Sequence, residues 1–164
     1  MIKGVGMDGA TLSLGHATKL LTKVTEVSVV GSANFIAKKH LFTANIGCIS
    51  NNFNKIIKPE NNVPAANLVT HSLNNQSLDA HIFTKLSDKA EIYLAHLFEL
   101  IERQPQGQSG PLLTDVNSNL AYIHGLRGWV VDLHWSRAYI SWFIYARRLG
   151  SCRWRRGYQV ISCN

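Results

Sequence analysis

Two histidines of this 164-residue chain sit in matching contexts. Ile123-His124-Gly125-Leu126-Arg127-Gly128-Trp129 is followed ten residues on by Leu133-His134-Trp135-Ser136-Arg137-Ala138-Tyr139, and both read aliphatic-His-x-x-Arg-x-aromatic. Two imidazoles and two guanidiniums can supply a base, an acid and cations for a phosphate, which is what metal-independent RNA cleavage requires. Asp132 precedes His134 by two residues, so on a strand both side chains share a face. A carboxylate so placed can orient an imidazole for base catalysis. The catalytic candidates are therefore His124, His134 and Asp132. If residues 125–128 form a simple hairpin turn, the two histidines point to opposite sides of the sheet, and only a bulge reunites them. No nucleophile is placed by any motif: a Gly-x-Ser-x-Gly elbow is absent, and Cys152 has no accompanying signature. The plain alternative is two strand-end histidines beside turn arginines, with Asp132 in a surface ion pair.

The segment 147–157 points to binding instead. Arg147, Arg148, Arg153, Arg155 and Arg156 flank Trp154 in a stretch punctuated by Gly150 and Gly157. Guanidinium forks bind phosphates in bidentate fashion, and an exposed indole stacks on an unpaired base. In an up-and-down meander the first and third connections share one end of the sheet, which adds Arg127 to the group. The expected interface is thus an arginine rim of six around Trp154, favouring RNA or single-stranded DNA over duplex. Its alternative is a solvated basic loop with Trp154 folded back onto the core. His96-x-x-Glu99 and Asp79-x-His81 are too sparse to argue for a metal, with no His-Glu-x-x-His and no paired Cys-x-x-Cys. No cofactor signature is present, and no metal or cofactor is expected.

The elements that must position these residues fall into two compositional halves. All nine lysines precede the Gln104–Pro111 stretch, while seven of the eight arginines and all four tryptophans follow it. Residues 1–111 carry +2 and residues 112–164 carry +5, out of a formal net charge of +7. The sequence therefore divides into a mainly helical Lys/Asn-rich part at 1–104, a Pro/Gly/Gln-rich loop or linker at 105–118, and an Arg/Trp-rich part at 119–164. Apolar residues recur at helical spacing over 16–24 and 33–42. The asparagine-rich span 51–75 reads as loop and turns. Residues 88–103 read as one long helix: Asp88 and Glu91 make a capping box, Glu99 and Arg103 pair at i,i+4, and Pro105 ends it. After residue 118, four segments (119–124, 128–134, 138–146, 157–163) are rich in aromatic and β-branched residues and read as strands. The third also fits a helical stripe. The expected architecture is α+β: N-terminal helices with one long central helix, followed by a C-terminal antiparallel four-stranded meander.

Composition bounds the function. A chain 46% apolar and 16% charged is not disordered. An odd set of three cysteines, Cys48, Cys152 and Cys163, reads as free thiols of a reducing, cytoplasmic compartment. The N-terminus lacks the apolar run of a secretory signal, and no stretch approaches the ~20 apolar residues of a membrane span. Together these readings favour a small basic nucleic-acid-binding protein over an enzyme. A toxin-like ribonuclease using His124 or His134, and an inhibitor or interaction module for an acidic protein, are the alternatives.

Overall fold

A computed structural model describes residues 19–164. The N-terminal segment, including residues 16–18 of the first expected helix, lies outside them. The described chain is mostly β. It has ten strands: β1 Leu21–Val29, β2 Ser32–Phe35, β3 Ile46–Ile49, β4 Glu60–Val63, β5 Ala66–Leu73, β6 Glu91–Ile92, β7 Asn119–Ile123, β8 Trp129–Ser136, β9 Ser141–Arg148 and β10 Gln159–Cys163. Three short α-helices accompany them: α1 Asn51–Ile56, α2 Asp79–Leu86 and α3 Leu94–Glu102. One mixed sheet runs in the order β1-β5-β10-β7-β8-β9-β3, with β6 also on β7, while β2 and β4 form a separate pair.

This overturns the expected helical first half. Residues 21–29 carry Thr22, Val24, Thr25, Val27 and Val29, and that density of β-branched side chains favours a pleated strand over a helix with the same apolar spacing. β1 pairs antiparallel with β5. The span 33–42 becomes β2 and a 3-10 turn at Lys39–Leu41. The asparagine-rich span contains α1, β4 and β5, and β5 is an internal strand with Leu68, Val69 and Thr70 buried. The long central helix is also shorter than expected. Asp88 lies in a 3-10 turn, and Glu91–Ile92 is drawn into parallel pairing with Tyr122 and Ile123. α3 starts only at Leu94, where the Glu60 carboxylate accepts from the Leu94 and Ala95 amides at 2.8 and 2.9 Å. A carboxylate over the first turn satisfies free amides and complements the helix dipole. That cap comes from 34 residues away.

The four segments after residue 118 are strands, but they are not a meander. β7, β8 and β9 are successive antiparallel neighbours. β10 instead lies parallel to β7, between it and β5, and β3 takes the place beside β9. The sheet thus interleaves strands from both compositional halves. The intervening stretch is a loop fastened to the core. Gln104 is fully buried and clamps it, accepting from the Leu112 amide and donating to the carbonyls of Gln108 and Leu112. Gly107, at φ 66°, lies so close to Trp135 that a Cβ would stand 2.1 Å from the indole.

The two faces of the sheet are covered unequally. α1 and α3 close one face over Val131, Leu133, Trp142, Ile144 and Ile161. The other face is closed over part of its width, where Ile82 of α2 and Trp154 pack on Leu120, Tyr122, Val130 and Val160. Beyond that, toward β9 and β3, Phe143, Tyr145 and Arg147 alternate as half-buried residues with buried Trp142, Ile144 and Ala146. No described helix is long and apolar enough to cross a membrane.

Candidate nucleic-acid interface

The topology decides where the predicted arginines go. Arg148 pairs with Trp129, and the Leu149 amide donates to Gly128, so Arg148 and the Arg127 turn share one end of the sheet. From there residues 149–158 must reach the far end, because β10 runs parallel to β9. They cross the α2 face, and Gly157 arrives beside Leu73 and close to Asn117. Arg155 and Arg156 therefore lie near the opposite end of the strands from Arg127, and the six arginines do not share one rim. Arg148 rests over the Trp129 ring at 4.4 Å. Arg127, Arg153, Arg155 and Arg156 are exposed, with no carboxylate within ion-pair distance among the described residues.

Trp154 is the anchor of that crossing, and only 3% exposed. It forms an isolated bridge with Ser77, and its indole N–H donates to Asp79 Oδ1 at 2.6 Å. The Tyr122 hydroxyl donates to the same oxygen at 2.8 Å, and the Gly150 amide donates to Oδ2 at 2.7 Å. Burial, reinforced by the Asp79 charge, pushes the Tyr122 phenol far above its ordinary value. In this arrangement the indole has no open face for a base. The apolar reading of Trp154 prevails because a ten-residue parallel crossover must bury something to hold its path.

The catalytic candidates separate. His124 lies just past β7, 3.4 Å from Glu91 and beside the Tyr93 ring at 5.0 Å. His134 is five residues into β8, on the order of 17 Å away along the strand. The two imidazoles cannot act on one phosphate. Asp132 and His134 do share a face, and it is the partly open one. Arg147 Nε donates to Asp132 Oδ2 at 2.7 Å, while Asp132 Oδ1 is buried with no partner among the described residues. Burial penalises the Arg147 charge, but Asp132 outweighs it and holds the guanidinium above its ordinary value. His134 stacks on Tyr145 at 5.7 Å and 12°, and meets Phe143 at 5.5 Å. Burial pushes its imidazole down, against the pull of Asp132. The Tyr145 phenol is pushed up by burial and by Cys48. His96 and Glu99 serve the fold: His96 Nε2 bonds the Pro64 carbonyl, and Glu99 accepts from the Val30 amide and pairs with Arg103.

The residues that sequence reasoning missed are Tyr139, Phe143 and Tyr145. Tyr139 is 72% exposed and stacks on Phe143 at 5.4 Å and 29°. With His134 and Tyr145 these rings form a continuous aromatic strip, and Arg147 lies 5.5 Å over the Tyr145 ring at its end. Next to Tyr139 and Phe143 opens a groove of about 740 Å³, bounded by Lys39, His40, Phe42 and Asn45. The signal was present as a period of two: Tyr139, Ser141, Phe143, Tyr145 and Arg147 alternate with Ile140, Trp142, Ile144 and Ala146. Comparison with protein-family models, curated proteins and solved structures finds no match to this chain.

Proposed function

We propose that the protein binds single-stranded nucleic acid, RNA or DNA, on the partly open face of β8, β9 and β3. The observation that carries this reading is the strip of four rings, Tyr139, Phe143, His134 and Tyr145, ending on Arg147 in a chain of net charge +7. Rings along an open sheet receive successive bases, because every base has a π-face, and cations track the phosphates. Asp132 fixes Arg147 through Nε, and the guanidinium's remaining donors can still meet a phosphate. The exposed arginines at 127, 153, 155 and 156 add to the field that draws in a polyanion. Base stacking passes from Trp154 to the strip. Three free thiols favour a reducing, cytoplasmic setting.

The test is fluorescence anisotropy of labelled single-stranded RNA and DNA against the protein over a range of salt concentrations. Affinity should fall steeply with salt and should fall again in Phe143→Ala and Tyr145→Ala. Salt-independent binding, or affinity unchanged in both variants, would remove the reading.

A second reading is metal-independent RNA cleavage through His134. It is favoured by the common face of Asp132, His134, Tyr145 and Arg147. RNA degradation by the purified protein in the presence of chelator, lost in His134→Ala, would establish it. Absence of degradation leaves binding alone.

A further inference from the structure

We propose that the bound strand does not end on the aromatic strip but continues over the edge strand β3 into a second, lysine-lined groove, so that the ligand is a long single strand held there by its phosphates. This rests on the single-strand reading and adds to it the length and path of the ligand. Residues 27–59 carry four lysines, Lys38, Lys39, Lys55 and Lys58, and no acidic residue. A stretch of one sign concentrates its field on a polyanion. The fold sets this stretch beside the strip. β3 is the last strand of the large sheet and lies parallel to β9, which carries Phe143, Tyr145 and Arg147.

Two grooves meet at this edge and share a wall. The first, of about 740 Å³, has Tyr139 and Phe143 on one side and Lys39 and His40 on the other. The second, of about 490 Å³, is lined by Lys38, Lys39 and His40 together with Ile49, Asn54 and Ile57. Lys39 and His40 belong to both, so the 3-10 turn at Lys39–Leu41 is a ridge over which a strand passes from one groove to the next. The walls are tied to β9 and its approach. The Asn45 side chain donates to the Ile140 carbonyl, and the Ser50 amide donates to the Ile144 carbonyl at 2.9 Å. All four lysines are exposed, and none lies within ion-pair distance of a carboxylate among the described residues. Lys39 Nζ donates to the Gly47 carbonyl at 3.4 Å, and a phosphate oxygen is a stronger acceptor for an ammonium. Neither groove is lined by a carboxylate. Two acids that border the stretch are already engaged: Glu102 accepts from Thr43 and Ala44, and Glu60 caps α3. The second groove holds phosphates irrespective of base sequence, because its donors are cationic side chains and it offers no phenyl, phenol or indole face.

The test compares labelled oligonucleotides of about 4 and about 12 nucleotides, within the span of known single-strand sites, by anisotropy over a range of salt. Lys38→Gln, Lys55→Gln and Lys58→Gln together should flatten the log–log salt slope of the longer strand by about one to two units, at ~0.7 per phosphate contact, and leave the shorter strand nearly unaffected. The effect should appear with RNA and DNA alike, and its confinement to one of them would overturn the phosphate contacts. Lys19→Gln, Lys85→Gln and Lys89→Gln together remove the same charge away from β3 and should change the longer strand's slope by less than about half a unit. If the two triple variants behave alike, overall charge explains the binding and the path is overturned. Tyr145→Ala should weaken both lengths. If it does so while the triple variant at 38, 55 and 58 binds the longer strand as the parent does, the strip stands and the second groove is rejected. If Tyr145→Ala leaves both lengths unchanged, the single-strand reading falls and the continuation falls with it.

Discussion

One face of the sheet carries two buried aspartates beside aromatic rings, and the fold treats them differently. At the closed end, Asp79 is saturated: Tyr122 and Trp154 share Oδ1, and the Gly150 amide takes Oδ2. At the open end, Asp132 Oδ2 accepts from Arg147, and Oδ1 has no partner among the described residues. Both sites hold tyrosine and a second aromatic ring. The difference is whether the rings are spent on the polar network. At Asp79 the phenol and the indole are the donors, so their rings are turned inward and α2 and the crossover seal them. At Asp132 the donor is a guanidinium, and Tyr145 and His134 keep partly exposed faces. A saturated network closes a surface, whereas an unsaturated one beside exposed rings leaves capacity for a ligand.

The largest expected effect is at the closed end. Asp79→Ala removes the acceptor of two buried donors, each costing roughly 1–3 kcal/mol, so unfolding free energy should drop by about 3–5 kcal/mol in urea denaturation. A drop below about 1 kcal/mol would mean that the crossover is held by packing alone, and the contrast between the two aspartates would fail.

Stacking comes next. Tyr145→Ala should weaken single-strand binding by about 1–3 kcal/mol, the usual worth of a base on a ring, with little change in melting temperature. Trp154→Phe should do the reverse, lowering the melting temperature and sparing affinity. If the two variants exchanged their effects, the aromatic assignment to the two ends would be inverted.

Salt dependence sharpens the electrostatic half of the comparison. Arg147→Ala should flatten the log–log salt slope by about one unit, and Asp132→Asn, which frees Arg147, should steepen it by up to about one. Arg153, Arg155 and Arg156 changed together to alanine should flatten it by less than about one unit in total, because Arg155 and Arg156 lie toward the other end of the strands. A loss of two or three units in that triple variant would show that the strand follows the crossover rather than the open face.

The smallest effect is on pH. His134 is held below its ordinary value by burial, and His71 by burial and by Lys23 and Lys19. Unfolded, both take up a proton near about 6.5. Between the folded and unfolded values the unfolded chain therefore binds more protons, and stability rises with pH. The contribution is complete above about 6.5 and is lost as pH falls toward the folded values. Melting temperature should decline on acidification through that window, and His134→Phe should blunt the decline. An unaltered pH profile in that variant would remove His134 from the account.

The strands after residue 118 were legible within a few residues, because valine, isoleucine and aromatic side chains at alternating positions favour a pleated surface packed on a core. β9 shows how far this goes. Its inward residues Trp142, Ile144 and Ala146 and its outward residues Phe143, Tyr145 and Arg147 were all in the pattern, and the competing helical stripe alone obscured them. The same spacing misled over 19–24, the described part of the first expected helix, where Leu20, Leu21 and Val24 fit a helix and the β-branched neighbours decided otherwise. The Glu99–Arg103 pair was local, and it is there.

Tertiary structure alone decided which strand lies beside which. Parallel or antiparallel pairing is set by partners far along the chain, and nothing local to residues 159–163 says that they join β5 and β7 rather than β9. From that one choice follow the path of residues 149–158 across the sheet, the burial of Trp154 on an aspartate 75 positions earlier, and the dispersal of the arginines. Residue types alone determined the supply of cations and rings. Strand order determined which rings were consumed in the core and which were left facing out, because a side chain's exposure depends on what the rest of the chain places over it.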